Sequence, residues 1–449
     1  MIKYLQLFIL LSMFSCCSGS EVDEATTTKP KKNNPHIIAS TILYTNWIPI
    51  SNLASSSSVD LRFSLIDKLS ALVKDTPAEL DSLDDDNLSW SIILYKFLED
   101  AKIKTTEQLL NTSLDDALKI IIAENARNTE KTESFFQSLD IKNNLHEAYE
   151  WWFRDSPKTK NIIENLNNIT DSNPIYNLRD NKNNGMDVLR IIKADEEYKY
   201  LGVYHQLQSN TSNFKLYLAG SNDLEDWIQI TELGERSHQG DIEKWNNGYI
   251  VANEQDIEHG SNNIRVRYYK SYSDLVINNA KNDLTIERKF APTAEGTPDI
   301  RKITGNTPED SHIVIGFHYY ENITKDQLAF GVLKNFSEWS AWKDVISNYN
   351  INKMGYKGNI GGRKTFDYYG INFIQEAQIT SNDWGGWRLL YGNGAFYYTL
   401  NPSTELHSTS FANPGVAKMG DNEFVVTSYM HSDGNHKDER QELLYKVKF

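Results

Sequence analysis

From Met186 to the C-terminus the chain repeats one pattern of apolar and polar positions: a short strand opening on a small or acidic residue, a tight polar turn, then an aromatic-rich second strand. The openings are Asp187-Val188-Leu189-Arg190, Asp241-Ile242-Glu243-Lys244, Asp299-Ile300-Arg301-Lys302, Asn359-Ile360-Gly361-Gly362 and Gly415-Val416-Ala417-Lys418, spaced about 54–60 residues apart. The partner runs are Tyr198 to Tyr204, Gly248 to Ala252, His312 to Tyr319, Tyr368 to Ile374 and Glu423 to Tyr429. Their alternation at period two predicts strands with one buried face. A fixed period of this length, built from strands, predicts a β-propeller with one four-stranded blade per repeat, hence five blades over 186–449.

Between Val59 and Phe153 the period changes. Apolar residues at Leu61, Leu65, Ile66, Leu69, Leu72 and Val73 recur every three or four positions, which predicts a helical domain over 59–155, its last helix ended by Pro157. Residues 156–185 are asparagine-rich and read as a linker wrapping the propeller flank. The fold class expected is mainly β: a C-terminal five-bladed propeller preceded by a small all-α domain.

The N-terminus supplies an address. Met1-Ile2-Lys3 precedes an apolar run from Leu5 to Phe14 that is too short to span a bilayer, and residues 1–17 read as a secretory signal. Cys16 and Cys17, the only cysteines in 449 residues, stand where a lipobox cysteine receives its lipid; either is a candidate for lipidation. Residues 18–58 form a tether with one possible added strand, Ile37 to Ile50. The expected location is extracytoplasmic, on the outer membrane or cell surface, with membrane contact through the lipid anchor only. A net charge of −15 excludes nucleic acid as a partner, because phosphate contacts need a basic surface.

Inner strands of a propeller run beside a central funnel, so equivalent openings converge on one mouth. Here they offer Asp187, Asp241 and either Asp299 or Glu295, then Asn359 and Gly415: an asymmetric cluster on a repeating frame, which structure alone does not demand. The far ends of the second strands return to the same mouth with His205, Glu254, His318, Glu376 and His431, one per blade; His238 and Tyr319 lie close in sequence to these groups. Such a funnel suits hydroxyl binding and proton transfer, and Ca2+ or another divalent cation as a structural occupant; no cofactor is required.

The residues Met186-Asp187-Val188, His238-Gln239-Gly240-Asp241-Ile242 and Glu295-Gly296-Thr297-Pro298-Asp299-Ile300 resemble motifs of the five-bladed propeller glycoside hydrolases of the arabinanase, β-xylosidase and invertase kind, over about Gly185 to Phe449. That resemblance implies Asp187 as general base, Asp241 as the group that tunes and orients the acid, and Glu295 as general acid, with an oligo- or polysaccharide as substrate. Binding positions are then His205, His238, Glu254, Asp299, His318, Tyr319, Glu376 and His431. Two departures stand out: Val188 replaces the family's usual proline, and Thr297 interrupts its Glu-Gly-Pro run. Two readings follow, a glycoside hydrolase with a carboxylate triad and a non-catalytic glycan-binding lipoprotein with a degenerate site. Flat sugar faces need aromatic partners, for which Tyr204, Tyr319, Tyr320, Trp245, Trp384 and Trp387 are candidates.

Overall fold

The computed structural model describes residues 157–449 apart from short stretches at 210, 212, 258–260, 322–324, 369–370, 382, 394–395, 403 and 432–440. The signal, the tether and the helical module over 59–155 lie outside the described residues.

Five antiparallel sheets follow one another along the chain. Blade 1 is β1 (Asp187–Lys193), β2 (Tyr200–Leu207), β3 (Phe214–Ser221) and β4 (Ile228–Glu235). Blade 2 is β5 (Ser237–Trp245), β6 (Gly248–Asp256), β7 (Asn262–Tyr269) and β8 (Asn282–Thr285). Blade 3 is β9 (Glu295–Thr304), β10 (His312–Glu321), β11 (Lys325–Lys334) and β12 (Glu338–Lys343). Blade 4 is β13 (Ile360–Asp367), β14 (Ile371–Gln378), β15 (Trp387–Gly392) and β16 (Tyr397–Thr399). Blade 5 has three strands, β17 (Phe411–Lys418), β18 (Glu423–Met430) and β19 (Gln441–Lys448). Each inner strand packs beside the next, and β17 returns to β1, so the sheets close into the five-bladed ring that the repeat predicts.

Closure is made by a segment that the sequence presents as linker. Ile175 exchanges backbone bonds with Leu444 at 2.8 and 2.9 Å, and Leu178 N–H donates to Glu442 O at 3.1 Å, so this stretch lies along the free edge of β19. An edge left open is a template for misassociation, and pairing it with chain from before blade 1 also ties the two ends of the ring together. Pro157 begins a helix, α1 (Pro157–Asn167), as its fixed φ and missing N–H allow at a first turn; the helix it was expected to end lies outside the described residues. Ile162, Leu166 and Ile169 then bury against blades 4 and 5. Part of the 156–185 stretch read as linker is thus packed on the propeller.

The core is five seams. One apolar cluster joins each pair of neighbouring blades: Leu189, Ile191 and Tyr204 with Val425 and Leu444; Val203 and Leu218 with Ile242 and Val251; Ile250 and Ala252 with Ile300 and Ile315; Leu328 with Ile360 and Phe373; Ile374 and Leu389 with Val416 and Val426. Because every blade is sandwiched between two others, the second strands are buried on both faces, as in Gly248 to Glu254. The period-two alternation had predicted a single buried face. Packing in the closed ring covers both faces of these strands, while the outer strands β4, β8 and β12 stay partly exposed.

Candidate functional site

All five inner strands carry the same β-bulge near their start. Three residues of the inner strand span two of its partner, between the pairs Asp187–His205 and Arg190–Val203, His238–Glu254 and Asp241–Ala252, Gly296–His318 and Asp299–Gly316, Ile360–Ala377 and Arg363–Gln375, and Ala412–Tyr429 and Gly415–Thr427. Four bulges place a non-glycine residue in the left-handed region: Val188 at φ 57°, Gln239 at 50°, Thr297 at 47° and Asn413 at 49°. For the β-branched Val188 and Thr297 this is a strained backbone. It also accounts for the first departure from the family pattern, because proline is locked near φ −65° and cannot occupy the position of Val188.

The bulge register corrects the ring of openings. Asp187 is the positional counterpart of His238 and Gly296, not of Asp241; the counterparts of Asp241 and Asp299 are Arg190, Arg363 and Gly415. An extra residue in each inner strand shifts the pattern by one, and Asp187 happens to stand three positions ahead of its repeat.

The three carboxylates assigned to hydrolysis occupy three different surroundings. Asp241 is fully buried, its oxygens 2.9 and 2.8 Å from Lys364 Nζ and its Oδ2 accepting the Ile300 N–H at 2.7 Å. Lys364 reaches across from blade 4 and also bonds Glu243 at 2.9 Å; burial opposes its charge, but Asp241 and Glu243 outweigh burial and raise its pKa. Glu295, at the start of β9, is 2% exposed, and its Oε1 accepts backbone N–H groups from Lys289, Phe290 and Ala291. It clamps the turn that leads into its own strand. Asp187 is half-buried, with Oδ1 buried and unpartnered among the described residues; burial raises its pKa to about 6 against the pull of Arg179. No contact joins Asp187, Asp241 and Glu295 among those the structure records.

Several residues assigned to ligand binding also hold bulges. His205 Nδ1 accepts the Gln239 N–H of the next blade at 3.1 Å, and burial keeps its ring neutral by lowering its pKa to about 3. Glu254 accepts the Thr297 N–H at 2.5 Å; Glu376 accepts the Gly362 and Asn413 N–H groups; Glu442 accepts those of Val188 and Leu189 at 2.9 and 3.1 Å. A carboxylate or imidazole thus clips each of four seams to a strained bulge in the following blade. Gly296 and Gly361 are glycines because a Cβ there would collide with the Glu254 and Glu376 carboxylates. Glu442 escapes sequence reasoning altogether, since it lies on a third strand outside the repeated motif. Asp299 bonds Thr365 through its N–H at 3.0 Å and its hydroxyl at 2.6 Å. Tyr319 is buried in the seam of blades 2 and 3, 5.2 Å from the Phe290 ring, rather than lining the mouth. His431 stands between Trp384 and Tyr429 at the edge of blades 4 and 5.

What the fold does assemble is a row of charged groups across blades 2 and 3, on the face where the inner strands begin. Asp256 Oδ1 lies 2.9 Å from His238 Nε2, and His238 Nδ1 lies 3.5 Å from Glu254 Oε2. Glu254 Oε1 lies 3.5 Å from His318 Nε2, and His318 Nδ1 lies 3.3 Å from Asp326 Oδ1. Thr297 Oγ1 ties the centre, 2.7 Å from Glu254 and 3.1 Å from His318. Burial works against charge along the whole row. Even so, the two imidazoliums hold Glu254 down to about 2, and the flanking carboxylates raise both histidines, His318 well above its ordinary value. Both rings keep 17% of their side-chain surface exposed, so the row touches solvent. His238, Glu254 and His318 were legible in the sequence; Asp256, Asp326 and Thr297 were not, because their roles depend on which blade faces which. Among the described residues, no three His, Cys, Asp or Glu side chains are arranged to hold a metal ion.

No protein-family model matches the sequence, and neither does any curated protein. Solved structures similar in fold include a thermostable family-43 glycoside hydrolase, at 13% identity over 60% of this chain and 92% of that one, TM-score 0.40. An arabinanase from Bacillus subtilis is 10% identical over 58% and 94%, TM-score 0.38. An α-L-arabinanase from Penicillium chrysogenum, complexed with arabinobiose, is 8% identical over 61% and 97%, TM-score 0.37.

Proposed function

We propose that this chain is an extracytoplasmic lipoprotein that binds an oligo- or polysaccharide on the face where its inner strands begin, its hydrolytic carboxylates having been given over to holding the fold. The observation that carries this reading is the occupation of Glu295 and Asp241. A general acid must present a proton to the leaving oxygen, and the group that tunes it must sit beside it. Glu295 spends one oxygen on three backbone amides, and Asp241 is neutralised by a buried lysine. Binding asks for something else: fixed donors and acceptors of defined charge, which the row from Asp256 to Asp326 supplies to sugar hydroxyls. The net charge of −15 suits a neutral ligand better than a polyanion.

The test combines calorimetric titration with reducing-end release on a polysaccharide panel. Binding without release is expected. Release that Glu295→Gln abolishes while ligand still binds would overturn the proposal. Lipidation at Cys16 or Cys17 belongs to the same proposal; radiolabelled palmitate incorporated by the wild type and lost in the doubly serine-substituted variant is the expected result.

One observation favours the hydrolase as second reading. Glu442 is raised well above the carboxylate range by burial and by the neighbouring Asp187, itself at about 6, so this pair offers one protonated and one ionisable carboxyl near neutral pH. Under that reading Asp187→Ala abolishes sugar release.

A further inference from the structure

Of the aromatic residues that the sequence offers to a sugar face, one tryptophan stands apart from the rest. Trp227, Trp245 and Trp387 are buried, and Trp339 and Trp342 half-buried, but Trp384 is 68% exposed. A freely exposed indole forgoes a large burial gain, and an unneeded one is ordinarily turned inward or replaced. The segment carrying it is not loose. Trp384 opens a short 3₁₀ turn, Trp384–Gly386, whose ends are closed by Gly386 N–H to Asp383 O at 3.0 Å and by Ile379 N–H to Gly386 O at 3.0 Å. Gln378 Nε2 donates to Asp383 O at 3.2 Å, Arg388 to Gly385 O at 2.8 Å, and Ser410, from the approach to blade 5, to Trp384 O at 2.8 Å. The turn is fixed from two blades while its indole faces water.

A second and third ring extend it. His431 lies 5.1 Å from Trp384 at an interplanar angle of 53°, and Tyr429 lies 5.0 Å from His431 at 70°. Burial lowers the pKa of His431, so the imidazole between the two aromatics is neutral. Trp384 follows the end of β14 and His431 that of β18, with Tyr429 in the last residues of β18, which places them on the same face of the propeller as the charged row, at the seam of blades 4 and 5.

We infer that Trp384, with His431 beside it, is a stacking platform for one uncharged sugar ring of the bound glycan, a subsite separate from the charged row of blades 2 and 3. A pyranose or furanose presents a face of C–H groups that an indole covers at little entropic cost, and a rim of hydroxyls that a neutral imidazole can donate to or accept from. Other occupants fit less well. An anionic bilayer or nucleic acid is repelled by a chain of net charge −15. A protein partner needs a contiguous surface on the order of 800 Å² per side, and among the described residues of the 379–388 stretch the one other exposed large apolar side chain is Ile379.

The inference rests on the proposed carbohydrate binding, and the test separates the two. Xylohexaose, arabinohexaose and levan oligosaccharides are titrated into the full-length protein with tryptophan fluorescence and calorimetry as readouts. A blue shift and protection from acrylamide quenching are expected for the wild type. Trp384→Ala should weaken binding about tenfold or more, as loss of an aromatic anchor does, while Trp384→Phe retains affinity within a few-fold. Both variants should melt with the wild type, because the ring is exposed. Equal affinity of Trp384→Ala and wild type, with binding still lost in His318→Gln, overturns the platform and leaves the carbohydrate reading standing. No binding of any of the three saccharides by the wild type overturns both. Binding of phosphatidylglycerol vesicles that depends on Trp384 overturns the sugar assignment in favour of a membrane surface.

Discussion

Lys364 shows how much one buried side chain can carry. It extends from blade 4 to bridge Asp241 and Glu243 of blade 2, at 2.8 and 2.9 Å, and Asp241 is the fully buried partner of the two. Removing one partner of such a pair strands the other in low dielectric. Lys364→Met is expected to cost about 3–5 kcal/mol in chemical denaturation, and Lys364→Met combined with Asp241→Asn to recover most of it, since Asn can still accept the Ile300 N–H. Asp187 behaves oppositely. Its folded pKa, about 6, lies above its ordinary 3.8, so the folded state is favoured when the group is protonated: stability is greatest below pH 3.8, falls as pH rises toward 6, and is then level. Asp187→Asn, which abolishes that charge at no cost in hydrogen bonds to Oδ1, should be the more stable by up to about 3 kcal/mol above pH 6 and equal to wild type near pH 4. Thermal melts at a series of pH values read the difference.

At the scale of elements, the bulge and its clip are one device. The bulge leaves N–H groups unpaired in the ladder, and in four of the five seams an acceptor from the preceding blade satisfies one, so those seams are fastened by directional bonds as well as by apolar contact. In the seam of blades 2 and 3 the clip is Glu254, embedded in the charged row. His318 has a raised folded pKa, so its contribution is complete below its ordinary 6.5 and is lost as pH rises through the folded value. Glu254 has a lowered one, so its contribution is complete above 4.5 and is lost as pH falls toward 2. The row therefore stabilises most between about pH 4.5 and 6.5. His318→Gln should lose about 1–3 kcal/mol in that window and progressively less at alkaline pH, measured by urea denaturation. A flat pH dependence of that loss would mean that the row is not ionised as described.

At the scale of the whole molecule, ring closure depends on a stretch outside the repeat. Ile175→Pro removes the N–H that bonds Leu444 O. It should lower the melting temperature by about 5 °C or more, whereas the same change at a solvent loop should not. The proposed binding belongs to this scale too, because it draws on blades 2 and 3 for the charged row and on blades 4 and 5 for Trp384, on the face where the inner strands begin. A polysaccharide panel that detects binding and no release tests it directly.

The repeat of apolar and polar positions was enough to determine five blades and the starts of three second strands, at Gly248, His312 and Glu423: local periodicity is written into contiguous sequence. His238, Glu254 and His318 were legible for the same reason, as polar groups at the ends of apolar runs. Which of them face each other was not, because that is set by bulges that shift the register and by packing between blades some 50 residues apart. Only tertiary structure showed that Asp241 meets Lys364, that Glu295 is turned back on its own turn, that Glu442 fastens Val188, and that 175–178 completes the fifth blade. A carboxylate reads the same in sequence whether it will meet a substrate, a lysine or a backbone amide. Its partner, supplied from elsewhere in the ring, decides its chemistry.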